Sequence, residues 1–195
     1  MSVTIILGLN EAHRADAARL YWQAFGGKLG PILGPSARAL GHLGRVMQLD
    51  HCLGALKDGQ LVGILGFQGP KGSFAGGTEQ DFRASFGRLR AAWGLPLLAW
   101  VGGPEARENT LMIDGFSVDL PARGQGIGAA LLASVAAYAK QNGYTALQLD
   151  VTGSNWRARD FYARHGFSVA HQRSIGPLRL IFGFSHVLRL TRELV

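Results

Sequence analysis

The run Leu111 to Val118 is followed by Asp119-Leu120-Pro121-Ala122 and then Arg123-Gly124-Gln125-Gly126-Ile127-Gly128-Ala129. Glycines at 124, 126 and 128 keep side chains out of the way, so consecutive backbone N–H groups at a helix start can point at one anion. This is a phosphate cradle, or else a glycine-rich turn that merely packs closely. Gly124, Gly126 and Ala129 also satisfy the dinucleotide pattern G-x-G-x-x-A, and Asp150 lies 26 residues beyond Gly124, near where a ribose-binding acid would sit. Against that reading, Pro121 and Arg123 intervene where a dinucleotide turn follows its strand directly, and an antiparallel hairpin is predicted upstream. His51, Cys52 and His165 do not form a metal-ligand spacing, and no metal is expected. His42, His171 and His186 are isolated and read as structural or exposed.

The elements that must position this stretch follow from periodicity and turn residues. Val3 to Leu7 reads as a first strand, and Asn10 as the N-cap of a helix over Glu11 to Phe25 with Ala17, Leu20, Tyr21 and Ala24 on one face. Gly26-Gly27 is expected to end it, and a second helix is expected over Ser36 to Gln48. His51 to Leu56 and Leu61 to Phe67, joined through Asp58-Gly59, form the best hairpin signal. Residues 69 to 78 read as loop and Asp81 to Trp93 as an amphipathic helix with Phe82, Phe86 and Leu89 on one side. The region 69–109 reads as an insertion. A strand Leu111 to Val118, a helix Gly126 to Gln141, a strand Ala146 to Val151 and a helix Asn155 to His165 follow, with final strands within Ser168 to Ile175 and Leu178 to Leu190.

A chain of 195 residues, 47% hydrophobic and 17% charged, suffices for one compact domain over 1–195 and is short for two. Its longest charge-free stretch, Gly124 to Ala139, is shorter than a membrane span requires, so no membrane partner is expected. The first residues lack a basic leader, and the single cysteine cannot form an internal disulfide, which favours a cytoplasmic location. The net charge of +7 favours an anionic ligand such as phosphate. The basic residues are dispersed without aromatic interleaving, so nucleic acid is not expected.

In the cradle and beyond it, the sequence resembles the GCN5-related N-acetyltransferase (GNAT) superfamily. Arg123, Gly126 and Gly128 fill its acyl-CoA pyrophosphate loop, Q/R-x-x-G-x-G/A. Asn155-Trp156-Arg157-Ala158-Arg159-Asp160-Phe161-Tyr162-Ala163-Arg164-His165-Gly166-Phe167 matches its N-x-x-A-x-x-F-Y-x-x-x-G-F, with Leu147 to Val151 as the strand between them. The match is strong from Leu111 to Phe167, while upstream elements agree only in order. The resemblance implies an α/β (α+β) fold with a central mixed, mostly antiparallel sheet flanked by helices and a splay between two central strands. It also implies acetyl-CoA as acyl donor, attacked directly by a primary amine on a small molecule or peptide. A non-catalytic acyl-CoA sensor of the same fold is the alternative, and an NAD(P)-dependent oxidoreductase a distant third.

Roles follow residue by residue. The amides of Gln125 to Ala129, with Gly124, would meet the pyrophosphate, and Arg123 either adds a charge-assisted contact or is simply solvent-exposed. The resemblance places the pantetheine arm along the backbone of Phe116, Ser117 and Val118, with the Val118 N–H as donor to the thioester carbonyl. Asn155 is expected as an N-cap, and the resemblance implies an amide contact from it to the CoA arm as well. Tyr162, two turns further on, is either a core tyrosine or the donor that protonates the leaving thiolate. Asp114 is the only acid in its strand and shares side-chain parity with Phe116 and Val118. It is the candidate acceptor of the amine proton, directly or through a water, or an orienting carboxylate. Glu79, Asp81, Glu105 and Glu108 are weaker candidates. Trp93, Trp100 and Phe74 are candidates to line an acceptor pocket, or else core. A polycationic acceptor is disfavoured by the basic chain. The acceptor's identity and the oligomeric state, a homodimer among the options, are open.

Overall fold

The computed structural model describes residues 3–69, 72–102 and 108–194, the side chains of 100–102 excepted. β1 (Val3–Leu7), β2 (Cys52–Lys57) and β3 (Gln60–Gly69) pair antiparallel, and the β2–β3 turn places Asp58 and Gly59 at φ 50° and 79°, as its Asp-Gly sequence permits. β4 (Gly72–Ser73) folds back on the end of β3. β5 (Thr110–Val118), β6 (Ala146–Thr152), β7 (Ser168–Ser174) and β8 (His186–Glu193) complete an eight-stranded sheet in the order β1-β2-β3-β5-β6-β8-β7. Among the described residues, only β5 and β6 pair in parallel.

Two layers of helix cover the sheet. On one face lie α4 (Ile127–Gln141) and α5 (Trp156–Arg164). Leu131, Leu132 and Val135 of α4 are fully buried against β2, β3, β5 and β6, each contributing roughly 1.5–3 kcal/mol and fixing where the helix begins. The other face carries α1 (Arg14–Leu33), entered through a single 3₁₀ turn, α2 (Ser36–Val46), α3 (Glu79–Gly102) and the short α6 (Arg179–Phe182). Among the described residues, no helix is long and apolar enough to cross a membrane.

Three expectations are corrected. α1 does not stop at Gly26-Gly27 but runs on to Leu33, because the last turn buries Ile32 and Leu33 against α3 and that burial outweighs two glycines and Pro31. α3 is longer than expected and is broken at Gly87, where φ 81° and ψ 164° turn the second segment; Phe82 and Phe86 stay buried while Leu89 is 90% exposed. Residues 178–182, expected within a strand, instead close a 3₁₀ turn over 176–178 and form α6, ended by Gly183 at φ 71°. Phe182 and Phe184 are thereby buried against α1 and α3. Within the expected loop 69–78, Gly72–Ser73 pair with Gly69 and Gln68.

Candidate functional site

The parallel pairing of β5 with β6 covers only Thr110 to Ile113 against Ala146 to Leu149, although β5 continues to Val118 and β6 to Thr152. Beyond Ile113 the two strands therefore splay. Asp119 N–H donates to the Val62 carbonyl at 2.8 Å, which makes Ile64 and Ser117 a hydrogen-bonded pair and Gly63 with Val118, and Leu65 with Phe116, the alternating pairs that do not bond each other. The N–H and C=O groups of Phe116 and Val118 consequently face the gap toward β6. Part of that edge is met locally: Arg123 Nε donates to the Val118 carbonyl at 3.0 Å.

At the far end of the gap, Gly124 and Gly126 adopt φ 76° and 78°, and a Cβ on either would have no heavy atom within 4 Å. Among the described residues no side chain caps the α4 N-terminus, which leaves its first N–H groups without a side-chain acceptor at the positive end of the helix dipole. Ile127, buried, anchors the turn from beneath. Asp119 accepts from Leu120 N–H and pairs with Arg19 at 3.2 Å; Lys57 Nζ donates to Gln125 Oε1 at 2.7 Å. Gly128 differs from the other two glycines, because a Cβ there would sit 3.1 Å from the Phe161 ring. It is small because α5 approaches closely.

A cavity of about 660 Å³ runs through the splay and joins both faces of the sheet. It brings Asp114, Phe116, Asn155 and Tyr162 together; residues 123–129 do not line it, 123–126 being exposed and Ile127 buried, and the Ser117 hydroxyl is buried without a partner among the described residues. Asn155 Oδ1 accepts from Ala158 N–H at 3.2 Å, so it caps α5 while facing the cavity. Tyr162 is buried among the rings of Phe116, Phe161 and Phe167, with centroids 5.5–6.1 Å away. Its hydroxyl has no hydrogen-bond partner among the described residues, and burial raises its pKa, keeping the phenol protonated.

Asp114 occupies a β-bulge: Gly115 pairs with Gly66 and Ile113 with Phe67, leaving Asp114 without a partner on β3. The bulge overturns the expected parity. Phe116 meets Phe161 and Tyr162 beside α5, whereas Asp114 reaches Ser73 of β4, and the Cβ position of Gly115 faces Tyr21 of α1. Ser73 Oγ donates to Asp114 Oδ2, while Asp114 Oδ1 is buried and unpartnered. Burial pushes the Asp114 pKa up to about 6, opposed by the Ser73 hydroxyl, the Ala75 amide and the nearby His51.

The remaining candidates lie elsewhere. Glu79 pairs with Arg83, and Asp81 accepts from Thr78 N–H and Oγ1 at the start of α3. Glu108 is exposed; Glu105 and the Trp100 side chain fall outside the described residues. Trp93 stacks under Arg90 at the surface, and Phe74 is fully buried core packed on Tyr21. Asp150 forms two 2.9 Å hydrogen bonds with Arg189 on the sheet face away from α4, so the acid that a dinucleotide reading would need is already engaged. The single parallel strand pair removes the rest of that reading. Sequence reasoning missed Ser73, which reaches Asp114 only through the two-residue β4, and Lys28, whose place on the cavity wall depends on α1 continuing past its glycines.

A family model described as the Acetyltransferase (GNAT) family matches residues 15–167. Solved structures agree in fold. One described as an acetyltransferase superposes with a TM-score of 0.64 at 21% identity, over 98% of this chain and 100% of that one. The ribosomal-protein-S18-alanine N-acetyltransferase from Escherichia coli gives 0.59 at 14% identity, over 99% and 94%. A candidate streptothricin acetyltransferase from Bacillus anthracis str. Ames, in complex with acetyl coenzyme A, gives 0.50 at 15% identity, over 74% and 62%. No curated protein sequence matches the chain.

Proposed function

The chain belongs to the GNAT acetyltransferase family, and from that premise we propose that it transfers the acetyl group of acetyl-CoA to a primary amine by direct attack. The observation that carries the reading is one continuous cavity with a buried, half-partnered carboxylate toward α1, a phenol toward α5 that has no hydrogen-bond partner among the described residues, and a splayed strand edge between them. The open glycines and the uncapped α4 N-terminus suit the CoA pyrophosphate, and the outward N–H groups of Phe116 and Val118 suit its pantetheine arm. When bound, acetyl-CoA supplies an activated thioester.

The chain's own residues do the rest. The Val118 N–H, turned away from β3, would donate to the thioester carbonyl oxygen, where negative charge develops. An unperturbed amine is mostly ammonium near pH 7, so Asp114, ionised there and elevated toward the working pH, takes the first proton and passes it to solvent. As the N–C bond forms and the C–S bond breaks, Tyr162 gives its proton to sulfur and recovers one from the nitrogen's second N–H. Protons balance, with CoA thiol, amide and one released proton as products. A thiol-release screen with acetyl-CoA against a set of amines tests the reading: amine-dependent thiol release supports it, and CoA binding without turnover on any amine leaves an acyl-CoA sensor instead.

A further inference from the structure

The acceptor side of the cavity is electrically lopsided. Lys28 lines it from α1, half-buried, and among the described residues its ammonium makes no hydrogen bond and no ion pair. Its Nζ lies 6.0 Å from the Phe184 ring centroid. Asp150, the acid whose field reaches it, is already held bidentately by Arg189, and Arg173 adds a further positive field. Burial therefore pulls the Lys28 pKa down. A half-buried cation whose contact is an aromatic ring at 6.0 Å, with no hydrogen-bond or ion-pair partner among the described residues, is costly to the empty site and relieved by an anionic ligand. The same cavity is lined by the apolar Phe25, Leu29, Phe182 and Phe184, and its carboxylate besides the Arg189-held Asp150 is that of Asp114.

We propose that the acceptor is a small amine with an apolar body and a carboxylate, its amine seated at Asp114 and its carboxylate at the Lys28 ammonium. The inference rests on the acyl-transfer reading above and names the substrate class of that site. A polyamine would set a second cation against Lys28, and a purely apolar amine would leave Lys28 buried without an anion. Either would bind less well than a molecule whose two charges match the two poles.

The test compares matched acceptors with acetyl-CoA: phenylalanine with phenethylamine, and 4-aminobutyrate with butylamine, the second pair spacing amine and carboxylate further apart. The wild-type protein should favour the acid of at least one pair by about ten- to a hundred-fold in kcat/KM, mainly through KM, the range one charge-assisted hydrogen bond supports. In Lys28→Met, and in Lys28→Gln as a polar control, that ratio should collapse toward about one, while stabilisation by CoA certifies the fold. Equal or better turnover of the amines that lack a carboxylate, or of spermidine, by the wild type overturns the inference and leaves acyl transfer standing, as does a ratio that survives in Lys28→Met. If no amine is turned over, acyl transfer itself falls. Thermal protection by N-acetylphenylalanine then decides the anion site alone: protection lost in Lys28→Met supports it, and protection absent from the wild type or retained in the variant refutes it.

Discussion

Replacing Asp114 with asparagine should change how stability depends on pH. In the fold Asp114 has a pKa of about 6, against 3.8 for the free group, so the folded state holds a proton that the unfolded chain has released. Stability is therefore lost as pH rises from about 4 through about 6, and levels off above. The shift of about two pKa units corresponds to about 3 kcal/mol in full, of which about 2 kcal/mol develops between about pH 4.5 and about pH 7.5. Asp114→Asn abolishes that titration and keeps an oxygen to accept from Ser73. Its buried amide N–H groups cost an amount that does not depend on pH, so the difference between the two proteins isolates the carboxylate. Urea unfolding of both at the two pH values gives the comparison: the variant should gain about 2 kcal/mol on the wild type on going to the higher pH. Parallel stability profiles would refute burial as the cause, and with it the argument that Asp114 is tuned toward neutrality. In activity, Asp114→Asn should be slowest at neutral pH and recover partly at high pH, where more amine is already deprotonated. A raised acceptor KM with an unchanged pH profile would mark an orienting role instead.

Tyr162→Phe keeps the ring among Phe116, Phe161 and Phe167 and removes the donor, so kcat should fall roughly ten- to a thousand-fold with CoA affinity unchanged, measured by steady-state kinetics and titration. Ser73→Ala removes a hydrogen bond that holds the Asp114 pKa down, so the acidic limb of the kcat/KM profile should move to higher pH; an unmoved limb would detach Asp114 from the rate. Gly126→Asn tolerates positive φ yet places a side chain in the open cradle, and should weaken CoA binding in a thermal-shift titration with the fold intact. Gly128→Val should instead lower Tm, since its side chain meets Phe161.

What was legible from sequence was legible through local signals. The glycine turn at 124–126, α4 and α5 stand within a residue or two of their expected places because apolar spacing, glycines and the Asn155 cap all act locally. The Asp58-Gly59 hairpin holds for the same reason. The α1 side of the cavity was hidden because long-range packing makes it. α1 passes its glycines to bury Ile32 and Leu33, which carries Lys28 to the cavity, and Gly87 breaks a helix that periodicity alone would continue. The Asp114 bulge is a register event between two strands and leaves no mark on alternation, as residues 110–118 still alternate in burial. Ser73 was invisible because its function exists only once β4 folds onto β3.

The central claim is that one cavity holds an acyl donor and an amine between Tyr162 and Asp114. Its most direct test is mass spectrometry of the amine after incubation with acetyl-CoA labelled in the acetyl group, using the wild type and the double variant Asp114→Asn/Tyr162→Phe at matched CoA occupancy. The account predicts labelled N-acetyl amine from the wild type and a rate at least about a hundred-fold lower from the double variant. Equal rates from the two proteins, or CoA bound by the wild type with the label never leaving the thioester, would contradict it.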